Sequence, residues 1–196
     1  MEVISAILPK DGEVSFFPNL FTREESDVYF DVLMNEIPWK QEPIRIFGKT
    51  VMQPRLTAWY GDPGKHYSYS GITMSPANWI DTLLKIKQRI ETVSPVIFNS
   101  ALLNLYRDQS DSMGWHRDNE KELGINPVIA SVTFGATRRF LLRHYTDKDL
   151  KQSLELTHGS LLLMQGKTQH GWEHSVPKQS SIAGSRINIT FRVIKD

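Results

Sequence analysis

The 196 residues carry 23 Lys and Arg against 22 Asp and Glu, with 40% hydrophobic content and no cysteine. This balance excludes a polycation drawn to nucleic acid by overall charge, a disulfide scaffold and a thiolate metal site, and no apolar run approaches the length of a membrane span. A chain of this length reads as one domain over residues 1–196, soluble, monomeric and intracellular.

In chain order, the opening MEVISAILPK resembles neither a secretory signal nor a transit peptide. A first helix is predicted from Thr22, which forms a capping box with Glu25, and Val28, Val32 and Leu33 give it an apolar stripe that stops before Pro38. EPIRIFGKTVMQPRLTAWYGD follows as two extended arms around Phe47-Gly48-Lys49, with the turn at Gly48. KHYSYSG is short and aromatic. A second helix is predicted with Ser75 as N-cap and Pro76 in the first helical position, its stripe formed by Trp79, Ile80, Leu83, Ile86, Ile90 and Val93. Both stripes read as core faces.

After Pro95 the pattern changes to strands: IFNSALLNLYR, PVIASVTFG, RRFLLRH, GSLLLMQG, the segment through HGWEHSVP, and SRINITFRVI. These predict a β sandwich or barrel over residues 96–196, buttressed on one face by the helices of residues 1–95. The fold class is therefore mainly β with flanking helices (α+β). Arg138, Arg139, Arg143 and His144, followed by Lys148 and Lys151, read as a solvated basic face.

Three stretches carry chemistry. In Leu103-Asn104-Leu105-Tyr106, alternation puts an amide and a phenol on one face. In GWHRDNE, an extended backbone would aim His116 and Asp118 at a common point. A second histidine would complete two imidazoles and a carboxylate, the facial arrangement of non-haem Fe(II) oxygenases. His144 and His158 sit at predicted strand ends, where turn roles suit them, and spacing does not separate His170 from His174. In the last strand Arg186, Asn188, Thr190 and Arg192 share one face. That face is either the wet side of an ordinary strand or a pair of guanidiniums aimed into a cavity, each able to grip a carboxylate with two hydrogen bonds. A metal with three open positions beside two arginines suits a 2-oxo dicarboxylic acid, with one position left for O2.

FGK, PR, YGD, YSYSG, SPANW, NLYRDQSDSMGWHRDNE, ASVTFGATRRF, HGSLLLM, WEHSVP and RINITFR occur in order between about Ile44 and Ile194. Together they resemble the AlkB family of Fe(II)- and 2-oxoglutarate-dependent dioxygenases, most nearly the eukaryotic branch that repairs alkylated duplex DNA. The resemblance implies a double-stranded β-helix (jelly roll) with an N-terminal nucleotide-recognition lid. It implies His116, Asp118 and His174 as iron ligands, and Asn104, Tyr106, Arg186, Asn188 and Arg192 around 2-oxoglutarate. Arg186 would meet the far carboxylate, and Arg192 would lie near the metal-bound one. The implied activity removes the methyl group from N1-methyladenine and N3-methylcytosine in DNA, consuming 2-oxoglutarate and O2 and releasing succinate, CO2 and formaldehyde.

For the substrate, the resemblance implies Tyr67 and Tyr69 stacking on a flipped cationic base, and Glu120 accepting from its exocyclic amine. Phe47 would be an intercalating finger and Arg55 a further contact. The compartment would be nuclear in a eukaryote and cytoplasmic in a bacterium. Two departures stand out: Asn119 precedes Glu120 where the duplex-repair relatives carry adjacent acids, and Gln179, Ser180 and Ser181 stand where they carry a basic triplet. Fewer phosphate contacts predict a shallower salt dependence. Single-stranded DNA and methylated RNA are therefore alternative substrates. An inert nucleic-acid binding module is the alternative of another class, opposed by the intact triad and both arginines.

Overall fold

The computed structural model of the chain describes residues 2–46, 48–65, 67–69, 72–74 and 76–195, with the backbone alone at 45, 46, 67–69 and 72–74. The elements in order are β1 (Glu13–Phe17), α1 (Arg23–Glu36), β2 (Pro43–Ile46), β3 (Lys49–Met52), β4 (Leu56–Gly61), β5 (Tyr67–Tyr69), β6 (Ile72–Met74) and α2 (Asp81–Glu91). The second half contributes β7 (Ser100–Tyr106), β8 (Met113–His116), a 3-10 turn (Lys121–Leu123), β9 (Ile129–Gly135), β10 (Arg138–His144), β11 (Lys151–Leu156), β12 (Ser160–Gln165), α3 (Thr168–Gly171), β13 (Trp172–Val176) and β14 (Arg186–Arg192).

A six-stranded sheet runs β1-β12-β9-β14-β7-β4 and a four-stranded sheet runs β11-β10-β13-β8, with every pairing antiparallel. Strand alternation makes two cores from these sheets. One side of the large sheet sends Ile187, Ile189 and Phe191 against Leu33 of α1 and Leu83, Ile86 and Ile90 of α2. The other side sends Leu162 and Met164 into a second core with Phe140, Leu142 and Trp172 of the small sheet. This is a double-stranded β-helix with helices on one outer face, the form that the family resemblance implied for the sandwich or barrel read from the strand pattern. Residues 1–95 do more than supply helices, because β1 and β4 form the two edges of the six-stranded sheet.

The predicted capping box closes α1, Thr22 accepting from Glu25 N–H and the Glu25 carboxylate from Thr22 N–H. Its buried face differs from the expected stripe: Leu33 is fully buried, but Val28 is 60% exposed, and Tyr29, Phe30 and Met34 pack instead. The second helix starts at Asp81, after the Pro76 start read from sequence; Ser75 lies outside the described residues. Its first predicted turn is extended because Ala77 donates to Trp59 O and accepts from Gly61 N–H, which ties it beside β4. The hairpin forms as predicted, but its second arm ends at Met52, and Leu56–Gly61 leaves it to join the large sheet.

Replacing Ile189 by Ala should cost about 2–5 kcal/mol, whereas Val28→Ala should stay within about 0.5 kcal/mol. Urea denaturation of the two variants checks both the core and the revised face of α1.

Candidate active site

His116 closes β8, and its Cα partner across the ladder is His174 of β13. Their ring centroids lie 4.2 Å apart. His116 Nδ1 lies 2.9 Å from the Gly114 carbonyl, which can only accept, so Nδ1 carries a hydrogen and Nε2 is the ring nitrogen left to meet a ligand. The strand ends at His116, so Asp118 is placed by the following loop and not by the pleat assumed from sequence. One potential ligand atom from each of His116, Asp118 and His174 lies within 4.8 Å of the others, and no other such group occurs among the described residues. Phe140 stacks on the His174 ring at 5.2 Å and limits its rotation.

The electrostatics suit a cation. The His174 imidazole is pushed down to about 3, chiefly by burial, with His116 and Arg192 adding to the fall against the pull of Asp118. Burial alone would raise the Asp118 carboxyl, but the nearby Arg192, His174 and His116 outweigh it and hold it below its ordinary value. At neutral pH the cluster therefore presents a neutral imidazole at His174 and a carboxylate at Asp118. Arg192 Nη2 donates to Asp118 Oδ1 at 2.7 Å, while Oδ2 faces His174 Nε2 at 3.9 Å.

The cluster lines a cavity between the sheets, together with Asn104, Tyr106, Arg186, Asn188 and Arg192. Arg186 is 1% exposed and donates from Nη2 to Thr133 Oγ1 at 2.9 Å. Its Nε and Nη1 have no hydrogen-bond acceptor among the described residues. Burial lowers this guanidinium to about 10, with Tyr106 opposing and Arg138 adding to the fall, so it stays charged at neutral pH. Deeper in the sheet, Asn104 Nδ2 donates to Asn188 Oδ1, and Asn188 Nδ2 donates to Ser131 Oγ and Val132 O.

All eight residues assigned to metal and 2-oxoglutarate thus meet in one cavity. Of the substrate candidates, Arg55 is 3% exposed and donates from Nε to Asn104 Oδ1 at 2.7 Å, which puts it behind the cavity wall. Glu120 is half-buried, and its buried Oε2 lacks a hydrogen-bond partner among the described residues. Phe47 lies outside the described residues, as do the side chains of Tyr67 and Tyr69. The basic cluster is not one solvated face. Arg138 is fully buried and donates to the carbonyls of Asp108, Asp111 and Pro177, and His144 is also buried. Period-two alternation along β10 turns those two inward and leaves Arg139 outside. Sequence reading missed Ser131 and Thr133, although their i, i+2 spacing in β9 carries the same signal as the last strand.

A model described as the 2OG-Fe(II) oxygenase superfamily matches residues 13–192. The alpha-ketoglutarate-dependent dioxygenase alkB homolog 3 of Mus musculus is 42% identical over 193 residues, covering 93% of this chain but only 66% of that protein's length. DNA oxidative demethylase ALKBH2 of Homo sapiens is 40% identical over 185 residues, covering 89% of this chain and 71% of that protein. The solved structure of OsALKBH1 matches with a TM-score of 0.67 at 18% identity, over 92% of this chain and 96% of that one, a likeness of fold. The chain belongs to the 2OG-Fe(II) oxygenase superfamily and, within it, to the AlkB family.

The residues fit the groups that the superfamily's name carries. Two imidazoles and a carboxylate suit Fe(II). The buried donors of Arg186 that lack an acceptor suit a carboxylate of 2-oxoglutarate.

The depressed His174 has a consequence for the metal-free fold. As pH falls from the ordinary 6.5 toward about 3, the unfolded chain takes up a proton that folded His174 excludes, so stability drops across that window. The lowered Asp118 acts in the same direction. Thermal melting from pH 7 to pH 4 should show a steep loss, and His174→Gln should make it shallower.

Proposed function

We propose that the chain is an Fe(II)- and 2-oxoglutarate-dependent dioxygenase that demethylates N1-methyladenine and N3-methylcytosine in DNA. The observation that carries this reading is one cavity holding both the His116, Asp118 and His174 cluster and the buried guanidinium of Arg186. Bound Fe(II) with 2-oxoglutarate supplies O2 activation, coupling decarboxylation to succinate and CO2 with hydroxylation of the N-methyl group, which then leaves as formaldehyde.

The residues divide the remaining work. His116, Asp118 and His174 hold the metal. Arg186 grips the far carboxylate of 2-oxoglutarate while Arg192, already bonded to Asp118, stands at the metal end. Asn104, Tyr106 and Asn188 complete the wall, and Arg55 orients Asn104 from behind. Glu120 Oε2, buried with acceptor capacity to spare, suits the exocyclic amine of a flipped base. The family resemblance would give Tyr67 and Tyr69 the stacking role on that base and Phe47 that of filling its place in a duplex. The similarity to DNA oxidative demethylase ALKBH2 supports DNA as the substrate. Gln179, Ser180 and Ser181 favour a single strand, DNA or RNA, over a tightly held duplex. The reading carries with it a monomer working inside the cell.

Loading with Fe(II) and 2-oxoglutarate without O2, then admitting O2, should remove the methyl group from a methylated oligonucleotide by mass analysis. His116→Ala should abolish it. Matched single-stranded DNA, duplex DNA and RNA rank the substrates, and equal or faster turnover on RNA would move the assignment there. Arg186→Met should raise the KM for 2-oxoglutarate roughly tenfold or more, since it removes charge-assisted hydrogen bonds, and leave Mn(II) binding intact.

A further inference from the structure

Two of the three donor side chains are placed by the sheet. His116 and His174 face each other in the β8 to β13 ladder, whereas Asp118 lies two positions past the end of β8. Its backbone therefore needs another anchor. The Asp118 N–H donates to Oε1 of Gln169 at 2.9 Å. Gln169 belongs to α3 and is fully buried. A peptide N–H can only donate, so this contact fixes which end of the amide faces Asp118.

The other end of the amide does little. Among the described residues, the hydrogen-bond partner of Gln169 Nε2 is Met164 Sδ, at 3.4 Å, and a thioether is a weak acceptor. Burying an amide is unfavourable unless its hydrogen bonds are made. The strong bond that Gln169 makes is the one to Asp118. A second tie joins the same two segments, since Arg117 Nη1 donates to His170 O at 3.1 Å. α3 runs directly into β13, which carries His174 five positions after Gln169. One short stretch thus positions one donor through the ladder and another through a side chain.

We propose that Gln169 is a positioning residue for the metal site. It holds the Asp118 backbone so that the carboxylate faces His116 and His174 before a metal arrives, and so sets the affinity for a divalent cation. The inference rests on His116, Asp118 and His174 being metal ligands.

The test uses Mn(II), which needs neither O2 nor substrate, and reads free Mn(II) by electron paramagnetic resonance. Gln169→Met keeps the length of the side chain and removes the acceptor; its Kd for Mn(II) should rise roughly 10- to 100-fold, the usual effect of losing a group that orients a ligand. His170→Ala, on the exposed side of the same turn, should bind as the wild type does. A Gln169→Met protein that folds by near-ultraviolet circular dichroism and binds within about threefold of wild type overturns the proposal. Should that variant not fold, hydrogen exchange in the wild type decides: the Asp118 amide should be protected, and free exchange overturns the proposal. Wild-type protein that binds no Mn(II) removes the ligand reading itself, an outcome distinct from an unaffected variant.

Discussion

β14 is buried along its whole length, yet every second residue in it is polar. The rest of the structure is arranged around that conflict. Ile187, Ile189 and Phe191 are satisfied by the helices. Arg186, Asn188, Thr190 and Arg192 face a cavity where each charge or amide must find partners or lose more than it gains from burial. Thr133, Ser131, Asp118 and Asn104 supply them from neighbouring strands and from the loop after β8. The central position of β14, between β9 and β7, lets one strand collect partners from both sides.

The same arrangement separates two electrostatic environments within one cavity. At the metal end a buried carboxylate is balanced by Arg192, and a buried imidazole remains neutral. At the far end Arg186 keeps its charge beside the face of Tyr106, 5.1 Å from the ring centroid, with Arg138 over the same ring at 5.5 Å. Two cations over one aromatic ring make that end attractive to an anion.

Much of this was legible in the sequence, because β14, β7 and the Thr22 capping box are written in local periodicity and local chemistry. What was not legible depended on partners distant in the chain. Pro76 resembles a helix start, but the backbone bonds of Ala77 to Trp59 and Gly61 keep it extended. Arg138 resembles a surface cation, but three carbonyls from two separate loops accept it inside. His116 and Asp118 resemble neighbours on a pleat, but the strand stops between them. Gln169 carries no local signal at all, since its meaning comes from an amide 51 residues away.

The Arg192 contact also bears on denticity. With Asp118 Oδ1 hydrogen-bonded to the Arg192 guanidinium, Oδ2 is the oxygen left freer to meet a metal. Asp118 would thereby be biased toward ligating a metal through one atom, beside one nitrogen from each of His116 and His174. The arginine that neutralises the carboxylate would thus favour a three-donor site with positions left for small molecules.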